Sequence, residues 1–318
     1  MKKVALVCGI TGQDGAYLAR LLLNKGYVVF GTSRDAQGSS FKNLKDLGIS
    51  NKVKVISMMP EDFRSVLVAF RIAQPDEVYF LAGQSSVGLS FELPAETMQS
   101  ISIGTLNILE ASRMMEKPPR IYNAGSSECF GDTGGIAADE STAFHPRSPY
   151  AVAKASAFWL VDNYREAYGL FACTGILFNH ESTLRPERFV TQKIISAARR
   201  IAQGSKEILE LGRLDISRDW GWAPEYVEAM WLMLQDDKPE DYVIATGEAN
   251  PLERFVQEAF NFYNLDWTAY VQQNPDFVRP TDILLSVGDA TKAKNVLGWS
   301  PEYRMKDIVK MMAENSSN

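Results

Sequence analysis

Tyr150 and Lys154 stand four residues apart in the run Ser148-Pro149-Tyr150-Ala151-Val152-Ala153-Lys154. On a helix that spacing puts both side chains on one face, one turn apart. A free tyrosine loses its proton near pH ~10, too late for a base at neutrality. A lysine cation one turn away favours the phenolate, which is what a poised base needs. Ser148 reads as an N-cap and Pro149 as the first helical position, so the start of this helix is marked in the sequence. Upstream, Gly125-Ser126-Ser127-Glu128 follows the apolar-leaning run Ile121-Tyr122-Asn123-Ala124 and gathers hydroxyls and a carboxylate at one point of the chain. Tyr-x-x-x-Lys alone is a common pattern, and its value depends on what else the chain supplies.

A second constellation lies at the start. The short apolar run 4–8 reads as a buried strand and ends in Gly9-Ile10-Thr11-Gly12-Gln13-Asp14-Gly15. A helical pattern through Tyr17, Leu18, Leu21 and Leu22 follows it. Glycines at this spacing turn the chain tightly, admit a pyrophosphate to the backbone and let the helix pack on the strand. The plainer reading is a strand–helix turn that binds nothing, but its place at the first such junction favours a dinucleotide. The next strand, 27–31, leads to Thr32-Ser33-Arg34, where an NAD site usually carries an acidic residue. Arg34 instead suits a 2′-phosphate, which favours NADP over NAD; the bland alternative is a solvated surface arginine beside Asp35.

The elements that must position these groups alternate. Strands are expected at 52–56, 77–81, 120–124 and 171–177, with helices over 63–72, 97–115 and from 150 to about 168. Strands spaced by helices at this rhythm indicate an α/β fold, a Rossmann-type doubly wound parallel sheet with function at the carboxyl ends of its strands. Ser126–Glu128 falls at such an end, and so does Ala82-Gly83-Gln84-Ser85. Beyond Asn179 the pattern loosens, with helices over 189–203, 223–234 and 252–263 and strands over 208–211 and 242–245. We therefore expect a dinucleotide-binding domain over 1–178, with 219–247 returning to it, and a smaller, partly interleaved substrate lobe over 179–218 and 248–318. The last residues, 315–318, read as a frayed end.

Composition narrows the class. The chain has 318 residues, 46% of them hydrophobic and 23% charged, and a net charge of −6, which argues against general nucleic-acid binding. Three scattered cysteines and two histidines give neither a disulfide framework nor a metal motif. No apolar run is long enough to span a bilayer, and the expectation is a reduced, cytoplasmic protein without a membrane partner.

Together, the Gly loop, the Ser-x-Glu after the fifth strand and Tyr-x-x-x-Lys resemble the extended short-chain dehydrogenase/reductase superfamily. Longer strings resemble its GDP-mannose 4,6-dehydratase family: Gly9 through Leu18, Pro146 through Lys154, Asn163 through Tyr168, Gly175 through Ser182, Arg218-Asp219-Trp220-Gly221 and Tyr242 through Glu248. The resemblance covers nearly the whole chain.

It implies a redox-neutral dehydration of GDP-mannose with NADP as cofactor. Tyr150 takes the proton of the sugar C4 hydroxyl, Lys154 favours the phenolate and holds the nicotinamide ribose, and Ser126 hydrogen-bonds the C4 oxygen. Glu128 removes the C5 proton so that water leaves from C6, and a hydride taken at C4 returns to C6. Carried over by position, the cofactor would meet Gly9, Thr11, Gly12, Gln13, Asp14, Gly15, Arg34, Leu81, Ala82, Gln84, Tyr150, Lys154 and His180. The substrate would meet Ser85, Asn179, Arg185, Lys193, Arg218 and Arg279. Relatives are homodimers or homotetramers.

Departures from the family pattern are Met59 where an Asp usually holds adenine, Cys129-Phe130, Asp282 for a usual Glu, and a short stretch 266–279. Other readings are a dehydratase of another GDP-sugar such as a GDP-manno-heptose, an NADPH-dependent 4-keto-reductase, and a non-catalytic NADP sensor.

Overall fold

The computed structural model describes residues 2–315, so the expectation for the chain end at 316–318 lies outside the described residues. The first strand β1 (Val4–Cys8) runs through the Gly loop into α1 (Gln13–Asn24) and returns as β2 (Val28–Ser33). A short α2 (Lys42–Asp46) precedes β3 (Lys54–Ser57), followed by α3 (Phe63–Ala73) and β4 (Glu77–Phe80). Two short helices, α4 (Val87–Glu92) and α5 (Pro94–Met98), lead into α6 (Gly104–Arg113) and β5 (Arg120–Ala124). The long α7 (Pro149–Tyr168) then feeds β6 (Ala172–Leu177).

The single helix expected over 97–115 is in fact divided. A π-helical turn at Gln99–Ile103 separates α5 from α6. Such a turn carries an extra residue and is frequent near functional sites. Here it presses Ile101 against Tyr150, Ala153 and Ala157 of α7. It also sets the Ser100 hydroxyl 3.2 Å from the Gln84 amide, which donates to it.

After β6 the chain continues through β7 (Asn179–Glu181), α8 (Val190–Ala202), β8 (Leu209–Leu211), β9 (Ser217–Trp222) and α9 (Ala223–Met233). The remainder is β10 (Tyr242–Ile244), β11 (Ala249–Pro251), α10 (Leu252–Phe262), β12 (Val271–Gln273), β13 (Leu285–Ser286) and α11 (Met305–Asn315).

Seven strands form one parallel sheet in the order β10-β6-β5-β4-β1-β2-β3. Its central strands are nearly wholly apolar and buried, as helices on both faces require. One face packs on α1 and α9 through Leu18, Leu22, Tyr226 and Met230. The other packs on α3, α6 and α7 through Val66, Phe70, Ile108 and Val161. A separate core joins α8, α10 and α11 around Trp220, Phe255, Phe260 and Met312. β7, β9, β11 and β13 form a small sheet between these bodies, and β8 pairs with β12.

Asp219, fully buried on β9, is the fastener between the two cores. Its carboxylate accepts from the Thr246 amide at 2.9 Å, the Thr246 hydroxyl at 2.6 Å and the Gly247 amide at 2.9 Å. The segment just past the large sheet's edge strand β10 is thereby fixed to the small sheet. Burial raises the carboxyl's pKa, and these hydrogen bonds oppose the rise. Removing the carboxylate strands several buried donors, each costing about 1–3 kcal/mol. Asp219→Ala should therefore lower unfolding stability by roughly 3 kcal/mol in urea titration. A loss under ~1 kcal/mol would show that the junction is held elsewhere.

Candidate active site

The Gly loop is shaped by contacts that tolerate no side chain. Gly9 has φ +89°, and a Cβ there would stand 3.1 Å from the backbone of Leu81 and Ala82. A Cβ on Gly15 would come within 2.3 Å of the Gly9 carbonyl oxygen. The loop therefore lies directly beside the end of β4, with the Gly9 and Ile10 amides donating to the Thr32 carbonyl. Helix α1 opens at Gly12 without a side-chain cap, so its first amides remain free for an anion. Gln13 and Asp14 are tied to the segment after β6. The Ser182 hydroxyl donates to Gln13 Oε1 at 2.7 Å, and Asp14 Oδ2 lies 3.0 Å from His180 Nε2.

His180 is held on every side: its Nδ1 contacts the Phe178 carbonyl at 2.7 Å and its ring stacks on Tyr226 at 4.6 Å. Burial pulls its pKa down, but Asp14 more than restores it, leaving a net rise. Burial opposes ionisation of Asp14 in turn, yet His180 and Gln13 bring that carboxyl down to about 2. Both ring nitrogens of His180 are thus engaged, and it braces the Gly loop through Asp14.

Farther along the rim, Arg34 is exposed and has no hydrogen bond or ion pair among the described residues. The carboxylate of neighbouring Asp35 is turned to its own loop, accepting the Gln37 and Gly38 amides at 2.9 and 2.8 Å. A cleft of about 210 Å³ opens between Thr11 and the segment 39–43, beside this arginine's strand. Met59 is 44% exposed, available to an apolar ring face, whereas Met58 is buried in the core.

At the end of β5 the Ser, Glu, Tyr and Lys side chains singled out in the sequence meet. Ser148 caps α7, its hydroxyl accepting the Ala151 amide at 3.1 Å. Tyr150 and Lys154 follow on one face, and the Lys154 ammonium donates to the Ala124 carbonyl at the end of β5 at 2.8 Å. Ser126 caps the 3-10 turn Ser127–Phe130, accepting the Glu128 amide at 3.3 Å, and its hydroxyl is close enough to influence Tyr150. One strand end thus gathers Ser126, Glu128, Tyr150 and Lys154.

Electrostatics here differ in one respect from the sequence expectation. Burial drives the Tyr150 phenol upward, Ser126 and Arg185 oppose the rise, and Cys129 and Glu128 add to it. The Lys154 ammonium lies 5.8 Å from the Tyr150 ring centre and spends a donor on Ala124. Burial weakens it to about 8. Burial thus favours the neutral phenol, with Arg185 a small opposing influence. Glu128 is also raised, chiefly by burial; Arg218 and Arg279 oppose this and Asp282 adds to it.

The expected substrate contacts separate into groups. Arg218 is buried, donating to the Ile283 carbonyl at 2.7 Å and to Asp282 at 3.2 Å, while Arg279 lies 3.9 Å from the same carboxylate. Both are close enough to be felt at Glu128. Arg185 pairs with Glu181 and is felt at Tyr150. Asn179 lies on β7 opposite Trp220, and Ser85 is exposed past the end of β4. Gln84 folds into its own loop, donating to the Ser86 carbonyl at 2.8 Å. Lys193 turns to the Glu210 carbonyl at 2.7 Å and the Phe277 ring at 4.8 Å, on the shortened 266–279 stretch. Sequence reasoning noted Asp282 only as a departure and passed over Glu181 and Thr191 altogether. Their signal is burial, which no motif reports.

The thiols take no part. Cys8, Cys129 and Cys173 are buried and unpaired, and burial lifts Cys8 and Cys129 to about 12. No group of three or more metal-ligating side chains occurs among the described residues.

This fold, with a glycine cradle on the first strand and a Ser–Tyr–Lys set at the fifth, defines an extended short-chain dehydrogenase/reductase. It superposes with TM-score 0.86 on a dTDP-glucose 4,6-dehydratase from Streptomyces venezuelae, 20% identical, over 98% of this chain and 97% of that one. A family profile described as GDP-mannose 4,6 dehydratase matches residues 6–312, and the chain belongs to that family. It is 46% identical to GDP-mannose 4,6 dehydratase 2 of Arabidopsis thaliana, over 98% of this chain and 86% of the relative. Against the GDP-mannose 4,6-dehydratase of Sinorhizobium fredii the identity is 43%, over 99% and 97%.

The buried lysine has a measurable cost. Burial holds its pKa at about 8, below the ordinary lysine value of 10.5, so below pH 8 the folded protein carries the whole penalty of a buried charge. As pH rises from 8 toward 10.5 the folded state loses the proton first, and the penalty fades. Lys154→Met should therefore stabilise the ligand-free protein at neutral pH by about 1–3 kcal/mol, net of the lost hydrogen bond, while abolishing turnover. Urea unfolding at neutral pH and at about pH 9.5 should show that gain shrinking. Destabilisation at neutral pH would refute it.

Proposed function

We infer that this chain dehydrates GDP-mannose to GDP-4-keto-6-deoxymannose without net redox change. The observation that carries this reading is Glu128, a carboxylate on the turn that Ser126 caps, close enough to Tyr150 to be felt by it. A simple oxidation or reduction needs Tyr150 and its partners; a base at C5 is needed only for elimination. The matched relatives are named as GDP-mannose dehydratases, and neither the GDP-heptose nor the 4-keto-reductase reading is favoured. A non-catalytic sensor would have no use for Glu128, Tyr150 and Lys154 together.

The cradle fits a nicotinamide dinucleotide: Gly9 and Gly15 leave no room for Cβ atoms, α1 opens without a side-chain cap, and Arg34 has no ion pair among the described residues. Bound there, the nicotinamide supplies a hydride acceptor for C4 of the sugar and a donor for C6. Tyr150 takes the C4 hydroxyl proton, with Ser126 hydrogen-bonding the same oxygen. The ketone at C4 acidifies C5, and Glu128 removes that proton as water departs from C6. The elevated pKa of Glu128 makes it a stronger base once ionised and gives elimination an acidic limit above the usual glutamate value. Arg218 and Arg279 supply charge for the diphosphate, with Asn179, Ser85 and Arg185 at the sugar and phosphate end. Lys193 serves from the rim.

NADP is the proposed cofactor, supported by the free Arg34 and by Asp35 being turned to its own backbone. A homodimer or homotetramer is also proposed, since Ile103, Val152 and Trp159 expose apolar surface along α7 and the turn beside it; light scattering returning a monomer mass would remove that part. No helix among the described residues is long and apolar enough to cross a membrane, and the proposed setting is the cytoplasm.

Substrate deuterated at C4 should give product deuterated at C6, with no build-up of reduced cofactor and solvent hydrogen at C5, read by NMR. Glu128→Gln should still oxidise C4 but lose dehydration at least ~10²-fold. Full turnover by that variant would exclude Glu128 as the base. In calorimetry, NADP should bind more tightly than NAD, and Arg34→Ala should erase the difference; equal affinities in the unaltered protein would reject the preference.

A further inference from the structure

Glu181 is 1% exposed, a carboxylate in the interior for which the chemistry above has no use. It occupies the middle of 180–182, whose two outer side chains, His180 and Ser182, tie down Asp14 and Gln13 of the Gly loop. Successive side chains of a strand point to opposite faces, so Glu181 serves the other side. There its Oε2 accepts the Thr191 hydroxyl at 2.7 Å and lies 3.1 Å from Arg185 Nε. The Arg185 guanidinium also stacks over the Phe189 ring at 3.9 Å.

Two features show what this clamp leaves over. The Nε–H of Arg185 does not point along a hydrogen bond to Glu181, so the contact is an ion pair and a buried donor remains without an acceptor. Secondly, no hydrogen bond of the arginine's terminal amines is present among the described residues, yet its charge is felt at Asp14, His180 and Tyr150. A guanidinium fixed by a carboxylate and a ring, with its fork free of protein acceptors among the described residues, is preorganised for a phosphate.

We propose that Glu181 is a positioning residue: braced by Thr191, it holds Arg185 against the Phe189 ring so that the guanidinium fork meets a phosphate of a bound nucleotide. The shared chemistry is a diphosphate ester, whether of the dinucleotide or of the GDP-sugar. Without Glu181 the arginine keeps its charge but loses its fixed place, and the ordering of a long side chain is then charged against binding. This rests on the reading that Arg185 grips a nucleotide, though not on the identity of the sugar.

The test is a double-mutant cycle on the full chain with NADP and, separately, GDP as probes in calorimetry. Glu181→Gln should weaken one of the two at least ~10-fold, the scale on which partners orienting a liganding side chain act. The same change made in Arg185→Ala should cost nothing further. The nucleotide that weakens names the source of the phosphate. In steady-state assays the matching KM should rise while kcat at saturation stays within about threefold. Unchanged affinity for both probes in Glu181→Gln, or the same loss with and without Arg185, would overturn the proposal. Should Glu181→Gln fail to fold, Thr191→Val removes only the bracing hydroxyl and must weaken the same nucleotide through Arg185; an affinity equal to the unaltered chain's would overturn it equally. Because both readouts are binding, a chain that left GDP-mannose unchanged would defeat the functional reading and leave this cycle interpretable.

Discussion

The hydrogen bond from the Lys154 ammonium to the Ala124 carbonyl ties together the two elements that carry the candidate site. Strand β5 supplies Ser126 and Glu128 just past its end; α7 supplies Tyr150 and the lysine itself. Their relative placement is set where the lysine crosses between them. The bond is costly because it keeps a cation in the interior, and the burial that weakens Lys154 also holds the Tyr150 phenol neutral and lifts Glu128. Low dielectric raises the stakes of every charge in the site. The fold meets them with a set of paired arginines: Arg185 against Glu181, Arg218 and Arg279 against Asp282.

The remaining supports follow from that demand. Ser148 and Pro149 fix where α7 begins, and the π-helical turn presses Ile101 against Tyr150. On the cofactor side, steric exclusion does the work that hydrogen bonds do elsewhere: Gly15 can approach the Gly9 carbonyl, and Gly9 the backbone of Leu81 and Ala82, only because each lacks a side chain. The Gly loop is then anchored from outside by Ser182 and His180.

Much of this was legible in the sequence, for identifiable reasons. Period and punctuation gave the alternating strands and helices, since a buried parallel strand is a continuous apolar run and Ser-Pro is a helix start. Motifs gave the Gly loop and the Ser126, Glu128, Tyr150 and Lys154 set, since the chemistry demands those types at those spacings. The π-helical break at 99–103 escaped because a one-residue widening leaves no mark in apolar periodicity. The weight of burial escaped as well: Tyr150 and Lys154, four positions apart, suggested mutual influence, but burial dominates both groups, and the lysine also spends a donor on the end of β5. Gln84 and His180, matched by position, proved to have their polar atoms engaged within the protein. Glu181 and Thr191 were invisible because their partner is reached through a turn.

The path of the chain between its two cores has a consequence for modularity. Residues of the large sheet and its helices alternate with residues of the lobe: β7 leaves, α9 and β10 return, and β11, α10 and β13 leave again. Asp219 then closes the seam from the lobe's side. A lobe from a relative with another sugar preference could not be grafted as one cassette. At least two separate stretches would have to be exchanged together, with the aspartate and its Thr246-Gly247 partners kept as a matched set. With Arg218 and Arg279 in the proposed substrate role, preference in such a chain would change more readily by substitution around them than by recombination.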